Sequence, residues 1–347
     1  MATSLPTPEP LKVVQIDGLV VLKIIKHCRE SYPTDVTGQL LGLDDKGLLE
    51  VTNCFPFPLD GDDDTSAQYQ LDMMRCLRAV NVDNNTVGWY RSAHLGNFVD
   101  ANLIETQYSY QNSLSANSVV IIHDVSKSAA QSNLSLRAFR LQDAFMKAYE
   151  AKKFTTESLA QAKLSFSNIF EELPVKVHNS HLVTLMLHNL EMPTLDSSRL
   201  RTLSTFASSQ KEQSVADEAR PLAPNFDVLD LELDPFMQKN LEYLLDCSDL
   251  QQQEQNNYQY WQRSMAREQT KMQTWLTKRK QENVHRAQQG KPLLPEDEVN
   301  TLFKLPAEPS RLESMILSAQ MHNFTKQLNQ FAGPSLARLY SIQELQK

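Results

Sequence analysis

Cysteine is scarce, with four residues in 347, at positions 28, 54, 76 and 247. None is spaced Cys-x-x-Cys, and four are too few for a disulfide framework in a chain of this length, so a reducing cytosol is the simplest setting. Long apolar runs are missing too. The stretch "LVVLKIIK" is far too short to span a bilayer, and "MATSLPTPEP" has neither a basic nor an apolar leader segment. The expectation is a cytoplasmic protein without a membrane partner. Positive charge is also in deficit: 34 Lys and Arg stand against 42 Asp and Glu, a net charge of -8. That balance gives no broad positive field for a phosphate backbone, which disfavours a free-standing nucleic-acid binder and makes protein partners the default. No Gly-x-Ser-x-Gly elbow, P-loop or dinucleotide fingerprint is present.

What is present is a change of texture along the chain. The length suits two domains and a sizeable core, and 41% apolar residues fit a globular protein. Residues 1–10 are rich in Pro, Thr and Ser and read as a disordered N-terminus. From there "VVQI" reads as a strand, and "GLVVLKIIKHCRESYP" as a helix that stops before Pro33. The turn signal "DDKG" between "VTGQLLGL" and "LLEVTNCF" predicts a hairpin. "QLDMMRCLRAV" is helical, "TVGWY" a strand, "ANLIETQYSYQNSL" a helix, and "SVVIIHD" and "LSLRAFRL" strands. Such mixing places residues 11–195 in an α/β or α+β domain with a weaker C-terminal extension, and 196–347 in a helical region. Within the latter lie a Gln-rich arm (251–290), a Pro-broken linker (291–309) and a final amphipathic helix (310–347). On that helix Leu317, Met321, Phe324, Leu328 and Phe331 alternate spacings of four and three and form one seam, which either the chain itself or partner helices must cover.

Several constellations suggest chemistry and fall short of it. His178, His181 and His188 are close in sequence, but the last two lie about 10 Å apart along a helix, too far to converge on one zinc ion. Asp60, Asp62 and Asp64 alternate like a calcium loop, yet Thr65 stands where the turn needs Gly and Leu71 where it needs Glu. In the Gln-rich arm, Arg263, Arg267, Lys271, Lys278, Arg279, Lys280 and Arg286 form a basic stripe interleaved with Glu254, Glu268 and Glu282. That texture favours a solvated helix and leaves direct RNA contact open.

The segment "VGWYRSAHLGNFVDANLIETQYSYQ" is the most specific. The order of a "TDVTGQLLG" strand, a hairpin, Gly-Trp-Tyr, a polar loop and a helix resembles the MPN domain family, whose metalloprotease form is called JAMM. In catalytic members two His, a downstream Asp and a Ser follow Gly-Trp-Tyr, and an upstream Glu completes the site. Two imidazoles and a carboxylate hold zinc with one position open for water, and the Glu takes that water's proton. On this sequence the two His positions fall on Arg91 and Ala93, the Ser on Ala101, the Asp on Ile104 and the Glu on Asp35. No zinc ligand is retained, and a guanidinium stands where a divalent cation has to bind.

A shifted register offering His94 and Asp100, with His123 and Asp124 from another strand end, is the weaker alternative. The resemblance thus implies an α/β MPN domain, a mixed sheet flanked by helices, followed by a largely helical region, with no enzymatic activity, metal or cofactor. Adding "SFSNIFEELPVKVHNSHL", the Gln-rich arm and "GKPLLPEDEVNTLFKLP", the chain resembles the H-subunit family of eukaryotic translation initiation factor 3. That resemblance implies a structural component that supports assembly of the factor and messenger RNA recruitment to the 40S ribosomal subunit. It also implies pairing with the second MPN subunit, F, and a C-terminal helix entering a shared helical bundle. The alternatives are a JAMM-type zinc isopeptidase acting on ubiquitin-like modifiers, and an MPN scaffold of the proteasome lid or signalosome.

Overall fold

The computed structural model describes residues 11–45, 47–58, 63–80, 85–131, 134–191, 235–288, 302–303 and 305–345. The expected N-terminal disorder at 1–10, and most of the Pro-broken linker, lie outside them. Eight strands form one sheet: β1 (Val13–Asp17), β2 (Thr37–Asp45), β3 (Leu48–Pro56), β4 (Thr86–Ala93), β5 (Val119–Asp124), β6 (Leu136–Leu141), β7 (Phe170–Leu173) and β8 (Val175–His178). Their spatial order is β7-β6-β5-β4-β2-β3-β1-β8. The sheet is mixed: β1 runs parallel to β3 and β8, and β4 to β5, while the β2–β3 hairpin and the remaining pairs are antiparallel.

Nine α-helices accompany the sheet among the described residues: α1 (Gly18–Glu30), α2 (Asp63–Ala79), α3 (Ala101–Ser113), α4 (Val125–Gln131), α5 (Asp143–Glu150), α6 (Thr156–Ala162), α7 (His181–Glu191), α8 (Pro235–Gln288) and α9 (Leu312–Leu345). The hairpin follows the sequence pattern, whereas α4, α5, α6 and β7 are short elements without a clear apolar period. The acidic stretch that alternates like a calcium loop becomes helical at Asp63. None of these helices is long and apolar enough to cross a membrane.

The central strands are buried on both faces, and successive side chains sort to opposite sides. On β5, Val119 and Ile121 join a core with Val20, Ile24, Leu40 and Tyr90 under α1. Val120 and Ile122 join the opposite core, with Trp89, Leu103, Ile104, Phe139 and Phe145 under α3 and α5. The second core also takes in Met315 and Ile316 of α9, nearly two hundred residues downstream of β5. The final helix is therefore built into the sheet domain at its N-terminal end.

The Gln-rich face of α3 is structural. Gln107 accepts from the indole Nε1 of Trp89 at 2.8 Å and donates to the Ser118 carbonyl at 2.8 Å. Gln111 accepts from the Leu141 amide at 2.9 Å. These buried amides tie the helix to β4, to the start of β5 and to the end of β6, using backbone and indole groups that would otherwise be unpaired. Replacing Gln107 with Leu leaves the Trp89 N–H and the Ser118 carbonyl without that partner. The expected cost is about 1–3 kcal/mol of unfolding free energy, read as a lower urea midpoint for the full chain with an unchanged slope.

Candidate functional site

The polar loop between β4 and α3 occupies the place where the sequence pattern puts catalytic machinery. Arg91, near the end of β4, directs its guanidinium at two carboxylates. One nitrogen lies 2.9 Å from both Asp100 oxygens, and the other lies 3.4 Å from Asp35. Asp100 also serves as the N-cap of α3, accepting from the Leu103 amide at 2.8 Å. One carboxylate thus joins a helix start to a strand end, both favourable for negative charge.

The structure brings only two of the five degenerate positions, Asp35 and Arg91, into contact. Ala93 is buried in the apolar core beside Phe98, and Ile104 lies fully within that core. Ala101 is exposed at the first turn of α3. Among the described residues no three His, Cys, Asp or Glu side chains converge to hold a metal ion. The shifted-register candidates are engaged elsewhere. His94 Nδ1 pairs with Ser126 Oγ, Asp100 binds Arg91, and His123 Nδ1 donates to the Ser135 carbonyl at 3.2 Å. Asp124 accepts from the Lys127 amide at 2.9 Å and from Gln327 at 3.2 Å. His178, His181 and His188 are exposed on β8 and α7.

Sequence reasoning missed what the loop binds, which is α9. Gln320 accepts from the Val99 amide at 3.0 Å and donates to the Gly96 carbonyl at 3.1 Å and to Asn97 Oδ1 at 3.2 Å. Asn323 donates to the same Gly96 carbonyl and accepts from Arg137 at 3.3 Å. Gly96 sits at φ +73°, and a Cβ there would collide with the side-chain amide of Gln327. The left-handed backbone favours glycine here, and a Cβ would also push the Gln327 amide aside. The signal was a spacing of three and four between Gln320, Asn323 and Gln327, a polar stripe beside an apolar seam.

Of the seam expected at Leu317, Met321, Phe324, Leu328 and Phe331, whose cover the sequence left open between the chain itself and partner helices, the structure places Phe324 under the chain's own α8. Phe324 is 1% exposed and stacks on Tyr243 of α8, with ring centroids 5.9 Å apart. Leu317, Met321 and Leu328 are half-buried, and the Phe331 side chain lies outside the described residues. Apolar periodicity identified a face that must be covered without saying by what, and at Phe324 the cover is the chain's own α8.

Burial lowers the pKa of His94, partly opposed by the Asp124 charge, and lowers that of His123, opposed by its bond to Ser135 and by Asp124. Burial likewise pushes the Cys28 and Cys54 thiols up to about 12, so neither supplies a thiolate nucleophile at neutral pH.

Comparison with known proteins agrees with this geometry. Residues 9–115 match a family described as "JAB1/Mov34/MPN/PAD-1 ubiquitin protease". Residues 129–217 and 214–347 match one described as "C-terminal region of eIF3h". The chain is 46% identical to the H subunit of eukaryotic translation initiation factor 3 from Aspergillus oryzae, over 96% of this chain and 95% of that protein. The corresponding H subunits of Coccidioides immitis (46% identity, 96% of each chain) and Emericella nidulans (44%, 96% of this chain and 95% of that one) are similar to the same extent.

Two outcomes are expected. The double variant Arg91→His, Ala93→His does not cleave ubiquitin chains in a chelator-sensitive way, because Ile104 cannot ligate and position 93 faces packed core. Overpacking there costs about 1–3 kcal/mol, so its melting temperature falls. Acidification also destabilises the fold. The folded-state pKa values of His94 and His123 lie below the ordinary 6.5, so the unfolded chain binds more protons as the pH drops. Their contribution is whole above 6.5 and is lost as the pH falls through the folded values. Thermal unfolding between about pH 7.5 and about pH 5.5 should show the fall, and His123→Gln should reduce it.

Proposed function

The chain belongs to the H-subunit family of eukaryotic translation initiation factor 3, and we propose that it serves there as a structural, non-catalytic component. On this reading it supports assembly of the factor and, through the assembled complex, recruitment of messenger RNA to the 40S ribosomal subunit in the cytoplasm. Its MPN loop holds a helix of its own chain in place of a metal. An isopeptidase reading has no ligand set to rest on among the described residues.

The observation that carries an assembly role is α7. Every side chain from His181 to Asn189 is exposed, although the segment is largely aliphatic. Leu182 and Met186 stand 80% and 63% exposed, with Val183, Leu185 and Leu187 beside them. A helix with so broad an exposed apolar face belongs inside an interface. Its N-terminus is tied to that of α1 where the Asn179 side chain accepts from the Gly18 amide at 3.1 Å. On α1, Leu19 and Leu22 also face outward. The two helices therefore start from one point at the β1–β8 edge and together offer a surface for a similar pair of helices, as the second MPN subunit, F, would supply. Covering each of these side chains is worth roughly 1.5–3 kcal/mol.

The distal half of α9 is a second assembly element, with Leu336 and Tyr340 exposed beyond the intramolecular contact at Phe324. This part, rather than the full seam, is the portion open to a helical bundle. Membership of the proteasome lid or signalosome instead would show in which proteins co-purify.

The substitutions Leu182→Glu and Met186→Glu together should leave the melting temperature of the isolated chain unchanged, because neither side chain is packed. They should sharply reduce recovery of the other initiation-factor subunits in a pull-down. Phe324→Asp should instead lower the melting temperature. Full recovery of the subunits by the α7 variant would show that the interface lies elsewhere.

A further inference from the structure

Helix α8 carries a surface that the assembly role does not use. It is 54 residues long, roughly 80 Å, and much of it is solvent-exposed. Residues 302–303 and 305–311 return along it. Trp261 Nε1 donates to the Pro306 carbonyl at 3.1 Å, and Arg311 lies 3.9 Å over the Tyr258 ring. Farther along, Phe303 approaches Trp275 with centroids 6.3 Å apart and planes at 69°. Arg279 lies 4.7 Å over the Trp275 ring, and beside the ring pair runs an open groove of about 680 Å³ lined by both rings and by Arg267, Lys271, Thr274 and Lys278.

The charge along this stretch is opposite to that of the whole protein. Residues 255–288 hold seven Lys or Arg (263, 267, 271, 278, 279, 280 and 286) against Glu268 and Glu282. At physiological ionic strength the field of distant carboxylates decays within about 8 Å, so a ligand in the groove meets the local cations and not the net charge. Lys271 is paired with Glu268 at 2.7 Å, whereas Arg267 and Lys278 have no carboxylate partner among the described residues. Arg267, Lys271 and Lys278 fall at i, i+4 and i+11, on one side of the helix. The row runs about 16 Å beside the groove, with about 6 Å between its first two members.

We propose that this groove binds single-stranded RNA, with bases against Trp275 and Phe303 and successive phosphates along Arg267, Lys271 and Lys278. The chemistry is that of sequence-tolerant single-strand recognition: flat aromatic walls accept any base face, and a line of cations tracks the backbone. A duplex keeps its bases stacked inside and gains only the charges. An acidic peptide likewise meets the charges and leaves the ring pair without a flat partner. The site is independent of α7 and α1, so it stands or falls apart from the assembly reading.

The test is fluorescence anisotropy of the full chain with a labelled oligouridylate of about twelve nucleotides. Three phosphate contacts predict a slope of about -2 for log affinity against log salt. The double variant Arg267→Glu, Lys278→Glu should lose at least about tenfold in affinity and flatten that slope. Trp275→Leu should lose about tenfold with the slope retained. Phe303→Leu, outside the helix, should do the same and guards against a folding defect at Trp275. The control double variant Lys26→Glu, Arg75→Glu, which changes exposed cations on α1 and α2, should bind as wild type. The proposal is overturned if the control loses as much as the groove variant, if both ring variants bind as wild type, or if an oligoglutamate of equal length competes as well as the RNA.

Discussion

A loop buried against another element has to satisfy its backbone polar groups, and in this protein the loop after β4 pairs two of them with side chains from the far end of the chain. The Gly96 carbonyl and the Val99 amide are paired by Gln320 and Asn323. Without α9 those groups would be wetted and the apolar side chains beneath, including Phe98 and Ala93, would lose Met315 and Ile316. The left-handed turn at Gly96 opens the space that lets the helix approach. Hydrogen bonding and core packing therefore act at one place, and each requires the other.

Arg91 sits beside that loop and ties its two ends together. In a catalytic member of the family a divalent cation draws together ligands from a strand end, a loop and a helix. Here a fixed guanidinium, bound to Asp100 and close to Asp35, joins the corresponding strand end, helix start and β2 entry. A cation that cannot be deprotonated suits such a role at any physiological pH. A guanidinium accepts no electron pair from water and so does not do a metal's work there, and α9 lies over the loop beside it.

With the first half of α9 committed to its own domain, outward interactions move to what remains uncovered. Those surfaces are aliphatic at α7 and α1, and cationic with aromatic walls on α8. They differ in physical character and lie on separate elements, so the two proposed roles, for a protein partner and for an anionic polymer, draw on different surfaces.

Much of this protein was legible from residue order alone. The unbroken apolar run in "SVVIIHD", the turn in "DDKG" and the helix stop before Pro33 are local signals, so β5, the β2–β3 hairpin and α1 followed from them. The non-ligating residue types at Arg91, Ala93 and Ile104 can be read directly from the sequence, because ligation depends on residue type. Short elements such as α4 and β7 were not legible, since their few residues are shaped by neighbours more than by pattern. Only the tertiary structure decided that Arg91 pairs with Asp100, that Gln320 and Asn323 serve the Gly96 loop, and that Phe324 is covered from within. A periodic face declares that it will be buried, but the identity of its cover depends on contacts between residues far apart in the chain, and such contacts leave no local trace.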